Sequence, residues 1–187
     1  MAAERRLPRW AAWTLAAAFL VTAWFVALAT PGEEEAQSAF VVAATTGEQA
    51  AGRNLEATVT DVRRAAEVRT HDGRWAAEGN WVVVDLEVAA VTEDAFLFHA
   101  VLEFDGVRYS ASERPSSLAR AQLAAGIPQS GSLAFELPAD LESGQAVLEL
   151  ALNNNTRLDS LIVLPFDLAD TTRVPQTELQ ETGWSNP

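Results

Sequence analysis

The feature that most constrains this chain is an uncharged run from Trp10 to Gly32, which follows a short arginine-rich start. Trp10 to Ala29 is nearly all apolar, and at ~1.5 Å per residue a helix of that length is about 30 Å long, the thickness of a bilayer's hydrocarbon core. The run predicts a transmembrane helix over residues 10–30. Around it the chain divides into a cytoplasmic N-terminus over 1–9, a polar linker over 31–38, a folded domain over 39–168 and a flexible tail over 169–187.

The flanks set the expected direction. Arg5, Arg6 and Arg9 precede the run against a single Glu4, and Glu33, Glu34 and Glu35 follow it. Arg and Lys counts near a span decide orientation, so the N-terminus is expected in the cytoplasm and the C-terminal domain outside it, on a single-pass protein of the cell membrane. The lipid bilayer is thus the expected partner of residues 10–30. The alternative is a secreted domain, because Ala27-Leu28-Ala29 has the small-x-small form of a signal-peptidase site. The apolar run exceeds the 7–15 residues usual for a signal core, which favours a retained anchor. Arg5-Arg6 lacks the surroundings of a twin-arginine signal.

There is no cysteine, hence no disulfide, thiolate metal site or lipoprotein anchor. All 13 basic residues are Arg, a bias that a GC-rich bacterial genome produces. From Thr30 onward 10 Arg stand against 25 Asp and Glu, a net charge of −15. Such a domain is repelled by nucleic acid and by anionic head groups, so no nucleic-acid partner is expected.

Beyond Phe40 the apolar residues recur with period two rather than 3.6. Phe40 to Thr46 reads as a first strand. Leu55, Ala57 and Val59 alternate with polar residues, and Val62 to Arg69 either continues that strand or begins another. His71-Asp72-Gly73-Arg74 is a turn. In Trp81 to Val91, Val82, Val84, Leu86, Val88 and Ala90 share one face. Trp81 shares the other with Asp85 and Glu87, which places it nearer a rim than the centre.

Asp105-Gly106, between two alternating segments, predicts a two-residue hairpin, because both central positions need φ > 0. Its register sets Phe104 opposite Val107, Glu103 opposite Arg108 and Leu102 opposite Tyr109. Arg114 to Ala125 reads as a loop or one short helical turn. Leu133 to Leu137, Leu148 to Leu152 and Leu158 to Leu168 are further strands, and Pro165 puts the last at an edge or ends its pairing early. Seven to nine short strands without an ectodomain helix predict an all-β, antiparallel β-sandwich of one domain.

Three stretches in order, Asn80-Trp81-Val82-Val83-Val84-Asp85-Leu86-Glu87-Val88, Phe104-Asp105-Gly106-Val107-Arg108-Tyr109 and Gly126-Ile127-Pro128 with Gly131-Ser132-Leu133-Ala134-Phe135-Glu136-Leu137-Pro138, carry a resemblance. Over Leu55 to Leu168 the chain resembles the immunoglobulin-like domain of unknown function found in bacterial lipoproteins and single-pass membrane proteins, which is related to small secreted mycobacterial antigens. The resemblance implies an extracytoplasmic immunoglobulin-like sandwich engaged in interaction, and it brings no catalytic residues. This chain departs from it in lacking the lipoprotein cysteine and in its Ala-rich segment Ser116 to Ala125.

No catalytic, cofactor or metal site is expected. The two histidines lie apart: His71 in a turn, as a solvated residue, and His99 in a strand beside Phe96, Leu97 and Phe98. They lack zinc-site spacing. There is no Gly-x-Ser-x-Gly elbow, no Asp-x-Asp-x-Asp-Gly loop and no phosphate-binding glycine pattern. Asn154-Asn155-Thr156 matches a glycosylation sequon by chance. Trp75 and Trp81 are the candidate partner-contact residues, since aromatics on sandwich loops anchor interfaces, against the plainer reading that both cap the core. The expectation is a non-catalytic module that binds a protein or envelope component. The contrary class is an extracytoplasmic enzyme with an unrecognised site.

Overall fold

The computed structural model describes residues 8–29 and 37–185; the expected segments 1–9 and 31–38 fall largely outside them. The chain divides after Ser38 into two units. In the first, α1 spans Arg9–Ala29. Pro8 stands just before it, where a missing N–H costs nothing. The helix is long and apolar enough to cross a membrane, and none of its span Trp10–Leu28 is buried. Its two hydroxyls turn inward on the backbone: Thr14 Oγ1 donates to Trp10 O at 3.2 Å and Thr22 Oγ1 to Ala18 O at 2.9 Å. A helix in hydrocarbon has to satisfy its polar groups in this way.

The second unit is a β-sandwich. Its strands are β1 (Phe40–Ala43), β2 (Gln49–Ala51), β3 (Leu55–Thr70), β4 (Ala76–Ala90), β5 (Ala95–Phe96), β6 (His99–Phe104), β7 (Val107–Ser110), β8 (Gln122–Leu123), β9 (Gln129–Leu137), β10 (Gln145–Ala151), β11 (Ser160–Asp167), β12 (Thr172–Val174), β13 (Thr177–Leu179) and β14 (Gly183–Trp184). The first sheet has the order β1-β11-β10-β6-β7, and the second β12-β3-β4-β9-β14, with β2 and β13 also on β3. β5 and β8 form a small ribbon.

Alternation builds the main core between the sheets. Val82, Val84, Leu86 and Val88 of β4 meet Leu102, Leu148, Leu150, Ile162 and Leu164 of the first sheet, all essentially buried. Each such side chain contributes roughly 1.5–3 kcal/mol. The hairpin register holds: Leu102 faces Tyr109, Glu103 faces Arg108 and Phe104 faces Val107, with φ of +47° at Asp105 and +78° at Gly106. Residues 55 to 70 form one strand, kept continuous by irregularities between Val59 and Asp61 and between Ala65 and Glu67. Pro165 lies beyond the end of β1 pairing, which stops at Val163. In the Ala-rich segment, Leu118 is a buried peg, and a Cβ on Gly131 would stand 2.8 Å from its Cγ. Gly131 is therefore what lets this loop close on β9.

The end of the chain departs from expectation. Residues 169 to 185 are not a free tail. β12 and β13 run parallel to β3, pairing Arg173 with Arg64 and Glu178 with Arg69, and β14 pairs with β9. β12 and β13 thus extend the β3 edge of the second sheet and β14 its β9 edge. Residues 180–182 carry the chain across the outer face between them, where the Gln180 N–H bonds to Ser132. This C-terminal segment is a strap across that sheet.

Candidate functional site

The strap explains the fate of the two candidate tryptophans. Under it lies a second core of Ala65, Val68, Trp81, Val83, Ala134 and Leu179, with Trp75, Ala77 and Val174 packed on it. Trp81 does share a face with Asp85, as alternation requires, but it is fully buried there rather than at a rim. It therefore offers no surface to a partner. Trp75 is half-buried and meets Trp81 edge to face, 5.7 Å between ring centroids. The Arg114 guanidinium lies over both rings, 5.8 and 5.5 Å away, and pairs with Glu136.

Polar groups latch the strap. Arg63 Nη1 donates to Asp85 at 2.5 Å and to Asp61 at 2.8 Å, and its Nε donates to Thr177 Oγ1 at 2.7 Å. Ser132 Oγ donates to Asp85 at 2.5 Å and accepts from the Gln180 N–H at 2.8 Å. Burial works against the Arg63 charge, but the hydrogen bonds it donates to Asp85 and Asp61, with the charges of the two carboxylates, outweigh it and raise its pKa. At the strap's tip, His71 Nδ1 lies 2.5 Å from Glu178 Oε1, and this contact raises the His71 pKa.

The outer face of the first sheet carries no such strap. Alternation directs Val41 of β1, Leu161, Val163 and Pro165 of β11, Val147 and Glu149 of β10, His99, Val101 and Glu103 of β6 and Arg108 of β7 to this side. Its apolar side chains form a stripe that is only partly open: Leu161 and Val101 are buried, Val147 and Val163 are half-buried, and Val41, 63% exposed, and Pro165 face out. Beside it sits a three-residue polar cluster. His99 Nε2 is 3.0 Å from Glu149 Oε2, Arg108 Nη2 also donates to Glu149, and Arg108 lies 3.3 Å from His99. His99 and Glu149 are mostly buried, while Arg108 is half-exposed. Chemically, this cluster is a carboxylate held between a guanidinium and an imidazole, arranged to hold side chains in place. Arg108 reaches it instead of pairing with Glu103, its hairpin neighbour.

The hairpin register already put Arg108 on this face, but Glu149 arrives from β10, paired with β6 across about 50 residues of chain. No local pattern announces that pairing. Among the described residues, no group of three or more His, Cys, Asp or Glu is placed to hold a metal ion.

No family model and no curated protein matches this chain. Two solved structures are similar to it. One is an uncharacterised β-sandwich protein from Clostridium difficile 630, 11% identical, with a TM-score of 0.48, covering 73% of this chain and 99% of its own. The other, from Staphylococcus aureus, is described as a "putative lipoprotein"; it is 10% identical, with a TM-score of 0.46, covering 73% of this chain and 97% of its own.

Proposed function

We propose that the chain is a membrane-anchored, extracytoplasmic, immunoglobulin-like module that binds a protein or envelope component through the outer face of its first sheet, without catalysis. The observation that carries the reading is the asymmetry of the sandwich. One outer face is crossed by the chain's own C-terminal segment, with Leu179 buried against Trp81; the other presents a partly open apolar stripe beside a fixed polar cluster. Apolar surface rimmed by polar groups is the usual anatomy of a docking patch.

The strand connections support the immunoglobulin-like arrangement. β6–β7 and β10–β11 are hairpins within the first sheet, whereas β4 to β6, β7 to β9 and β9 to β10 pass between sheets, and β1 runs parallel to β11. Arg5, Arg6 and Arg9, with the exposed apolar helix after them, support an anchor oriented with the N-terminus inside.

Cross-linking in membranes tests the binding face. Val163→Glu alters the open stripe, and Thr172→Glu places the same charge on the strap. A cross-linked species formed by the wild type and by Thr172→Glu but lost with Val163→Glu supports this reading. Equal capture by all three, or none by the wild type, overturns it.

A further inference from the structure

The sandwich has a polar end and an apolar end, and the chain enters at the apolar one. Phe40, the first strand residue, pairs with Ser160, and its N–H donates to Asp159 O at 2.9 Å. The same end carries the 91–98 loop and the 152–159 loop, bridged by Arg53 and Asn54: the Arg53 N–H donates to Ser160 Oγ at 2.8 Å, and Asn54 Oδ1 accepts from the Thr92 N–H at 2.7 Å. Among the described residues of the sandwich nine large apolar side chains are exposed, and eight lie at or beside this end.

Five of them, Phe40, Val41, Phe96, Phe98 and Leu158, belong to the first sheet or its loops. Val91, Ile127 and Trp184 continue the set around the second sheet, where Gly126 bonds to Ala90 and Trp184 pairs with Gln129. Only Val107 is at the far hairpin. The phenyl rings of Phe96 and Phe98 are held out by construction. Leu97 between them is fully buried, the Phe98 N–H closes onto Phe96 O at 3.0 Å, and the rings stack with centroids 5.4 Å apart. Behind them is an open groove of about 520 Å³, edged by Arg53, Asn153 and Asn155.

Charge follows the same division. Glu93, Asp94 and Asp159 at the apolar end are accompanied by Arg53 and Arg157. The far turns instead carry Asp72, Asp105, Asp140, Glu142, Asp167 and Asp170, of which Asp72 is paired with Arg74 and Glu142 with Arg173. Loop tips of a sandwich surrounded by water are ordinarily polar, so a stacked phenylalanine pair on a tip calls for an apolar phase.

We infer that this end seats on the surface of the lipid bilayer, with Phe96, Phe98 and Leu158 at the level of the head groups. The inference rests on the anchored reading above. Ten residues separate Ala29 from Phe40, a tether of at most about 35 Å when extended. That tether keeps the local lipid concentration high, so a modest apolar contact is populated. The acidic far end points away from the lipid, and the strapless face of the first sheet stands clear for a partner.

The absence of cysteine makes the test direct. The full chain is reconstituted in phosphatidylcholine vesicles, carrying an environment-sensitive fluorophore on Asn154→Cys or, as the distal control, Asp140→Cys. Quenching by lipids spin-labelled near the head group is measured. Several-fold stronger quenching at position 154 than at 140, reduced to the control level by Phe96→Ser with Phe98→Ser and Leu158→Ser at an unchanged unfolding temperature, supports the seat. Equal quenching at both positions in vesicles that retain the chain through an alkaline wash overturns it and leaves the anchor standing. Quenching that survives the triple change overturns it, as does protection of position 154 that rises with protein density rather than lipid, which assigns the patch to a second copy. Loss of the chain from vesicles in the alkaline wash overturns the anchored reading itself and the seat with it.

Discussion

Arg63 and Asp85 meet across β3 and β4 at 2.5 Å, on the face of the second sheet that the C-terminal strands cover. The pair does more than join two strands. Through Thr177 on one side and Ser132 with the Gln180 N–H on the other, it ties the strap to the sheet. Removing Asp85 leaves the largely buried Arg63 with the exposed Asp61 as its remaining carboxylate and takes the acceptor from Ser132 Oγ, a loss of about 1–3 kcal/mol. Asp85→Ala should therefore lower the unfolding free energy by about that amount in urea titrations, and should loosen amide exchange protection in residues 177 to 180 before that of β9. Uniform loss of protection, with the strap no more affected than β9, would contradict the latch.

Leu179 is the apolar counterpart of that latch, buried with Trp81, Val68 and Val83. Leu179→Ala should destabilise the sandwich by about 2–4 kcal/mol, the usual cost of such a cavity. A red shift of the tryptophan emission would accompany it, as water reaches Trp75 and Trp81. A change below about 0.5 kcal/mol, the range of surface substitutions, would mean that the strap does not close this core.

The sheet was largely legible in the sequence, and the strap was not. Long alternating runs such as Val82 to Ala90 bury one full face, so their period survives in the sequence. The Asp105-Gly106 turn fixed its register through backbone sterics alone. The C-terminal strands are three residues or fewer and include Val174 and Leu179 among polar neighbours, and β12 and β13 pair in parallel with residues more than 100 positions earlier. Their order comes from the surface they cover. Trp81 was misplaced for the same reason: its face reads as wet until the strap is known to lie on it. The His99–Glu149–Arg108 cluster likewise depends on a strand pairing that no local residue encodes.

His71 offers a pH-dependent probe of the strap. Its pKa is raised by Glu178, so the contact's contribution is complete below about 6.5, the ordinary value of an unfolded histidine, and is lost as pH rises through the folded value. NMR titration should find the His71 pKa raised in the wild type and lowered toward the ordinary histidine value in Glu178→Gln, where Glu181 and Asp72 still act on it. Identical titration in both would separate His71 from the strap.

Two glycines should differ sharply in tolerance. Gly106 (φ +78°) has nothing near a built Cβ, and Ala there should cost about 1 kcal/mol from backbone strain alone. Gly144 (φ +120°) would set a Cβ 2.7 Å from the Phe104 ring, so Gly144→Ala should cost more, on the order of 2–3 kcal/mol. Thermal or urea unfolding of the two variants checks the order, and a reversed order would contradict the packing described for Phe104.

The most direct measurement of the central claim joins mass and topology in whole cells. The Asp105→Cys variant places the chain's one thiol at the far hairpin tip, and a membrane-impermeant maleimide reports which side of the membrane it occupies. An anchored extracytoplasmic sandwich predicts labelling of intact cells, on a membrane-bound chain whose mass still includes residues 10–30. A chain that starts at Thr30 and is found in the medium, or a thiol that reacts only after lysis, would contradict it.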